Sequence, residues 1–176
     1  MAIGVGICIG IGTCDKGLDS TNCNPSGGEY LYNWTFDCGT DGWGHAATYP
    51  ATITDNGDGS LHLKADSNYG SLVPNKQAFE DADWILECKV RNVAGNGKLS
   101  LRRPNNAWVN SPIYSTDGVY SLSFSGAIKE IHVGAANDAA YEADYEYISL
   151  KKVSDNAVTL NGIPLYIDGV PITYTP

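Results

Sequence analysis

Asn33-Trp34-Thr35-Phe36-Asp37, running through Cys38 into Gly39-Thr40-Asp41-Gly42-Trp43, decides how this chain is read. The stretch reads as a strand, Tyr30 to Phe36, that closes on a tight aromatic corner at the entrance to an all-β domain. The residues beyond it agree. Leu61-His62-Leu63-Lys64 alternates after the turn Asn56-Gly57-Asp58-Gly59, Trp84 to Asn92 forms a longer strand, and Asp144 to Val153 closes the series. Further strands are expected at Ala51 to Thr54, Ser60 to Lys64, Lys98 to Arg102, Val119 to Ser125 and Glu130 to Val133. Trp84, Leu86, Cys88 and Val90 share one face, as do Tyr120, Leu122 and Phe124, which is the period-two signature of sheets packed on one side. Ala94-Gly95-Asn96-Gly97 and Thr116-Asp117-Gly118 punctuate the strands with hairpin chemistry.

Composition narrows the function. The chain has 176 residues, enough for one domain with modest appendages. It holds 20 Gly, and 11 Tyr against 3 Phe, and offers hardly any helix-period segment. Its net charge is -9, with basic pairs only at Arg102-Arg103 and Lys151-Lys152, so a phosphate backbone would be repelled and nucleic acid is not an expected partner. No segment reaches the roughly 20 apolar residues of a membrane span.

The two ends differ from the middle. Residues 1–28 form a Gly/Ile-rich arm and loop, in which Ile3-Gly4-Val5-Gly6-Ile7 and Ile9-Gly10-Ile11-Gly12 suit a strand lying flat on another backbone. A signal peptide is the alternative, against which stands the lack of a basic start. Residues 29–154 are the sandwich. Residues 155–176 carry Asn161-Gly162-Ile163-Pro164-Leu165, echoed by Asp168-Gly169-Val170-Pro171-Ile172. Proline is excluded from central strands, so this is an edge ribbon, either an attachment element or a hairpin folded back on the sandwich.

The five cysteines are an odd number, so at least one thiol lacks an intrachain partner. Cys88 reads as a buried thiol, and a bridge between arm cysteines (Cys8, Cys14, Cys23) is open in an oxidising compartment. His45, His62 and His132 are scattered, and there is no CxxC, which argues against structural zinc. No GxSxG elbow, HExxH pair or phosphate loop is present, and Glu80, Asp81 and Asp83 read as solvated carboxylates, so catalysis is not expected.

Residues from about Tyr30 to Val153 resemble the galactose-binding-domain-like jelly rolls, particularly the carbohydrate-binding modules that accompany xylanases and glucanases. The resemblance rests on Asn33-x-x-Phe36-Asp37 with Gly39-Thr40-Asp41-Gly42-Trp43, on Asp58-Gly59-Ser60-Leu61-His62-Leu63, on Gly118-x-Tyr120-x-Leu122-x-Phe124 and on Tyr147-Ile148-Ser149-Leu150. It implies an all-β, two-sheet antiparallel jelly-roll sandwich, a structural calcium, a sugar site and no catalysis. The acidic positions of the family are matched here by Asp37 and Glu146, and Asp55 and Asp58 in the neighbouring turn supply further oxygen ligands for a hard cation. Alternation with Ile148 and Leu150 places Glu146 inward; pairing with Lys89 or Arg91 is the alternative. For the sugar, Arg102, Arg103, Asn105, Asn106 and Trp108 are the best local group, with Tyr114 and Tyr69 as additions, because rings stack on apolar sugar faces while polar groups take hydroxyls. Trp34, Trp43 and Trp84 are assigned to the core.

Two functions are consistent with these features. The first is a decorating subunit of a viral particle, a bacteriophage head or tail appendage, attached to other subunits through residues 1–28 and 155–176 and able to touch a cell-surface glycan; Met1 and the two tails favour it. The alternative is a secreted, extracellular carbohydrate-binding module.

Overall fold

The computed structural model describes residues 23–24, 28–49, 51–66, 69–136 and 139–153, together with the backbone of short strands at 159–160, 163–164, 166–167 and 170–171. The expected arm therefore lies outside the described residues except for Cys23, Asn24 and Gly28. Among the described residues there are fourteen strands: β1 (Trp43–His45), β2 (Thr52–Asp55), β3 (Leu61–Ala65), β4 (Ser71–Pro74), β5 (Asp83–Ala94), β6 (Gly97–Arg102), β7 (Trp108–Asn110), β8 (Gly118–Ser125), β9 (Glu130–Ala135), β10 (Tyr141–Lys152), β11 (Thr159–Leu160), β12 (Ile163–Pro164), β13 (Tyr166–Ile167) and β14 (Val170–Pro171). Two five-stranded antiparallel sheets, ordered β2-β3-β10-β5-β8 and β1-β4-β9-β6-β7, make the sandwich. β11 pairs with β12 and β13 with β14, so the echoed C-terminal sequence forms two small ribbons. No helix among the described residues is long and apolar enough to cross a membrane.

Period-two burial explains the two layers. Trp84, Leu86, Cys88 and Val90 of β5 meet Leu99 and Leu101 of β6 and Ile131 and Val133 of β9 in one buried cluster, with Leu122 and Phe124 of β8 at its margin. Trp84 is enclosed edge-to-face by Tyr30 and Phe79, and its indole N–H donates to the Glu80 carbonyl at 3.2 Å. Cys88 is a free, buried thiol, whose pKa burial pushes up to about 12. Close to it Tyr114, Tyr141 and Tyr145 satisfy one another's hydroxyls, with Tyr145 at 3.0 Å from Tyr114 and 2.8 Å from Tyr141.

The opening segment is not a strand. Residues 31–42 run through consecutive turns, in which Phe36, Gly39, Asp41 and Trp43 each donate to the carbonyl three residues back. Asn33 and Phe36 take the left-handed conformation, at φ 50° and 57°. Asn tolerates that region because its amide can bond locally. The Asn33 side chain donates to the carbonyls of Gly39 (2.9 Å) and Asp41 (2.8 Å) and accepts from the Cys38 N–H (3.0 Å), while the Trp43 indole donates to the Asn33 carbonyl. A disulfide joins Cys23 to Cys38 and ties this knot to the residues before it. The bridge runs from the arm into the domain, and the other two arm cysteines, Cys8 and Cys14, lie outside the described residues.

The same segment covers the end of β10 that β3 leaves bare. β3 reaches only Tyr145, and beyond it Tyr30 N–H donates to Leu150 and Ile148 N–H to Trp34, each at 3.0 Å. Glu29 completes the join from a buried position, its carboxylate accepting from the N–H groups of Tyr30, Leu31 and Leu150 and from the Ser149 hydroxyl.

Two bulges interrupt the β5–β10 ladder. Asn92, at φ 54°, sits where two residues of β5 oppose one of β10, and a second shift falls between Tyr145 and Tyr147. A bulge reverses the parity of everything beyond it. Tyr141, Ala143 and Tyr145 face the core on one side of it, Ile148 and Leu150 on the other, and Glu146 is carried out of the core to pair with Lys89 at 2.6 Å. The inward position expected for Glu146 is corrected accordingly. Asn56 to Gly59 is a true hairpin between β2 and β3, whereas the Ala94–Gly97 turn carries the chain from one sheet to the other. Turn residues mark a reversal without naming the partner strand.

Burial raises the Glu29 carboxyl above its ordinary value of 4.5, outweighing the bonds from Ser149, Leu31, Leu150 and Tyr30. Between that value and the raised one the folded chain holds a proton the unfolded chain has released, so stability falls as pH rises through the window. Glu29→Gln keeps an acceptor for the three N–H groups and cannot ionise. In urea titrations between pH 4 and 7, the stability of wild type relative to Glu29→Gln should decline with rising pH; Glu29→Ala, which strands several buried donors and likewise cannot ionise, should lie about 3 kcal/mol below Glu29→Gln at every pH.

Candidate functional site

The outer face of the β1-β4-β9-β6-β7 sheet carries the site. Because alternate residues point oppositely, the strands that bury Leu99, Leu101, Ile131 and Val133 must also present Lys98, Ser100, His132 and Gly134 outward. These residues form the floor of an open cleft of about 360 Å³. Ser71 of β4 flanks the floor on one side, and Trp108 and Asn110 of β7 flank it on the other. Tyr49 and Tyr69, from the loops after β1 and before β4, complete the wall above Ser71. From β4 to β7 is three interstrand steps, about 14 Å.

Three rings line this cleft while still open to solvent: Trp108 is 43% exposed, Tyr49 37% and Tyr69 37%. Their faces are set by neighbours. Trp108 meets His132 edge-to-face at 5.0 Å and carries the Arg102 guanidinium over its ring at 5.5 Å. Tyr49 and Tyr69 meet at 5.7 Å, and the Lys98 ammonium lies 5.2 Å from the Tyr69 centroid. Arg102 is bonded by both oxygens of Glu130, at 3.0 and 3.1 Å, and so holds its position against the indole. The His132 Nδ1 lies 3.1 Å from the Ser71 hydroxyl. Burial lowers the His132 imidazole below its ordinary value; Glu130 opposes the shift and Arg102 and Lys98 reinforce it. Gly134 has no room for a side chain, since a Cβ there would stand 2.5 Å from the Gly70 carbonyl oxygen, and the floor at that point is bare backbone. Past His132 a second hollow of about 540 Å³ opens between His45, Gln77 and the Arg102–Glu130 pair.

The expected sugar-contact residues separate into three groups. Trp108 and Tyr69 line the cleft, and Arg102 lies against it. Asn105 and Asn106 build the β6–β7 turn instead: the Asn105 side-chain carbonyl accepts from Ala107 N–H at 3.1 Å, and Asn106, at φ 68°, accepts from the Lys129 ammonium at 2.8 Å. They present Trp108 without facing what it faces. Arg103 lies over the Phe124 ring at 4.8 Å. Tyr114 is a correction: it is buried, stacks on Tyr120 at 4.2 Å and fills the space left by Gly97, where a Cβ would meet its ring at 2.3 Å. Tyr49, Lys98, His132 and Asn110 line the cleft without having been expected there. Outward alternation on β6 is a legible signal for Lys98 and Ser100; Tyr49 stands in a loop whose return to the cleft leaves no local signal.

The four carboxylates expected to hold calcium have separate engagements. Glu146 pairs with Lys89, Asp58 with Arg91 and the Ser60 hydroxyl, Asp55 accepts from Gly57 N–H at 2.8 Å, and Asp37 from the Thr35 hydroxyl at 2.7 Å. Among the described residues no three His, Cys, Asp or Glu side chains converge to hold a metal ion. The donor set does not fit a common cation site. On the outer face of the opposite sheet the buried acid is Asp144, which accepts from His62 (2.8 Å), Asn56 (3.1 Å) and Asn92 (2.6 Å). Burial would raise its carboxyl, but the bonds from Asn92, His62 and Asn56 outweigh that and bring it below the ordinary value.

The structure separates the packing roles of two tryptophans that composition treats alike. Trp84→Ala should lower unfolding free energy by about 4 kcal/mol, as for a fully buried indole. Trp108→Ala, whose ring is partly solvated, should cost about 1 kcal/mol. Guanidinium denaturation of both variants measures the contrast.

No protein-family model matches the chain, and no curated protein matches it. Among solved structures it is similar to a point mutant of CBM29-2, a family 29 carbohydrate-binding module, at 14% identity and a TM-score of 0.45 over 63% of this chain and 76% of that one. A family 29 carbohydrate-binding module is similar at 15% identity and a TM-score of 0.43, over 67% of this chain and 84% of that one. BiXyn10A CBM1, in its apo form, is similar at 14% identity and 0.43, over 58% and 81%.

Proposed function

We propose that this protein is a non-catalytic carbohydrate-binding domain that works outside the cell, with the cleft over β4, β9, β6 and β7 as its glycan site. One observation carries the reading: three solvent-open rings, Trp108, Tyr69 and Tyr49, are held around a polar lining of Ser100 and His132 on the floor and Ser71 and Asn110 beside it. A pyranose presents apolar C–H faces to rings and equatorial hydroxyls to polar groups at its edge, and this cleft offers both at once. The Cys23–Cys38 disulfide supports an oxidising, extracellular setting. Attachment to a virus particle draws on residues 1–28 and 155–176, most of which are outside the described residues, and on nothing in the sandwich face. The glycan-binding reading is therefore the stronger of the two.

A glycan array probed with the full chain should show retention on one class of glycan. Trp108→Ala should remove the signal, and Tyr69→Ala should weaken it by about tenfold, equivalent to one lost stacking contact. Retention that survives both substitutions would move the site off this face, and no retention by the wild type would end the proposal.

A further inference from the structure

The cleft holds one full positive charge that no described carboxylate balances. Lys64, Lys89, Arg91, Arg102 and Lys152 each meet a carboxylate. Among the described residues Lys98 lies over the face of Tyr69 and no carboxylate pairs with it. Its cross-strand neighbour on β9 is Gly134, so no side chain stands beside it on that flank, and none can be placed there. The other charges nearby are spoken for: Arg102 is neutralised by Glu130, and burial disfavours the charged form of His132. Among the described residues no Asp or Glu lines the cleft, although the chain carries 20 of them and a net charge of -9.

An ammonium held over one ring face, partly buried and with no described carboxylate beside it, has lost hydration and gained only that ring face in return. We infer that the glycan bound by this cleft carries an anionic group, a carboxylate or a sulfate ester, which closes on the Lys98 ammonium while the rings of Trp108 and Tyr69 hold the sugar. This rests on the glycan-binding reading and specifies its ligand. Lysine is a point charge without the fork of arginine, so it accepts either anion without a fixed approach angle. Partial burial lowers the Lys98 ammonium from its ordinary value, and an anion at that position would reverse the shift.

The test is calorimetric titration of the full chain with three sets of oligosaccharides of equal length at about 0.15 M salt, where screening is physiological: galacturonate, sulfated galactose and neutral galactose oligomers. Wild type should bind one acidic set about tenfold more tightly than the neutral set, the gain of one charge-assisted hydrogen bond. Lys98→Gln should bring the acidic-to-neutral affinity ratio from about tenfold down to about one, the ratio being read whatever the change in neutral-sugar affinity, and Lys98→Arg should keep it. Whichever acidic set shows the Lys98-dependent gain identifies the anion. Equal affinity for acidic and neutral sets, or a preference indifferent to Lys98→Gln, overturns the inference and leaves the glycan site standing. Absence of binding by all three sets would count against the glycan reading as well. Thermal unfolding of each variant confirms that the fold is kept.

Discussion

The pleat of β6 and β9 is the constraint on which the rest of the molecule depends. These two strands are inner members of their sheet, and each spends every second residue on the core: Leu99 and Leu101 from one, Ile131, Val133 and Ala135 from the other. Burial of those side chains stabilises the sandwich, at roughly 1.5–3 kcal/mol for each large aliphatic one. The residues between them are then forced outward in register. Lys98 stands opposite Gly134 and Ser100 opposite His132, so the floor of the cleft is assembled by the same pairing that assembles the core. A slip of one residue would bury Lys98 and His132 and expose those apolar side chains, a cost no local contact could offset.

The walls of the cleft depend on less regular parts. Trp108 sits on a three-residue edge strand, held to β6 by the ladder from Ser100↔Asn110 to Arg102↔Trp108 and by the turn that Asn105 and Asn106 shape. Tyr49 follows β1, which among the described residues pairs only with β4 and is fixed at its start by the Trp43 indole on the Asn33 carbonyl. The knot of turns from Leu31 to Gly42 thus acts at a distance from the cleft, through β1. Its own stability comes from saturating buried polar groups. Asn33 and Glu29 between them satisfy backbone groups that a strand would have satisfied by pairing.

This distribution explains what can be read from residues alone. Long alternating runs such as Trp84–Val90 and Val119–Ser125 declare their faces, and the expected strands there and at β6, β9 and β10 lie within a few residues of those observed. β1, β4 and β7 escape, because strands of three or four residues show little of a period of two and β4 ends on Pro74, whereas β2, equally short, is marked by the Asn56–Gly59 turn that follows it. Tyr30–Phe36 reads as a strand because its apolar residues outvote Asn33 and the Asp and Gly beyond it, yet the turn chemistry of those residues wins. Glu146 reads as inward because a bulge changes parity without changing composition. At the site, Trp108 and Tyr69 are legible as rings beside polar neighbours, whereas nothing in the sequence distinguishes an Asn that meets a ligand from Asn105 and Asn106, which serve the turn.

The two outer faces of the sandwich handle charge differently, and the difference bears on how an acidic protein could hold an acidic ligand. On the β3-β10-β5 face, His62, Lys64, Lys89 and Arg91 interleave with Glu142, Asp144, Glu146 and Asp58, so the charges cancel over short distances. In the cleft Lys98 has no such partner among the described residues. The net charge of -9 acts over the whole surface, but at about 0.1 M salt its field is screened within about 10 Å. A contact made at hydrogen-bond distance inside a half-buried cleft is screened far less. At low ionic strength the long-range repulsion would slow the approach of a polyanion, whereas at physiological salt the local ammonium dominates once contact is made. The ordinary rule that salt weakens binding between opposite charges would thereby be opposed at this site by relief of the global repulsion, so the affinity for an acidic sugar, if this cleft takes one as proposed, would change with salt less than that of a single Lys–anion contact on a neutral protein.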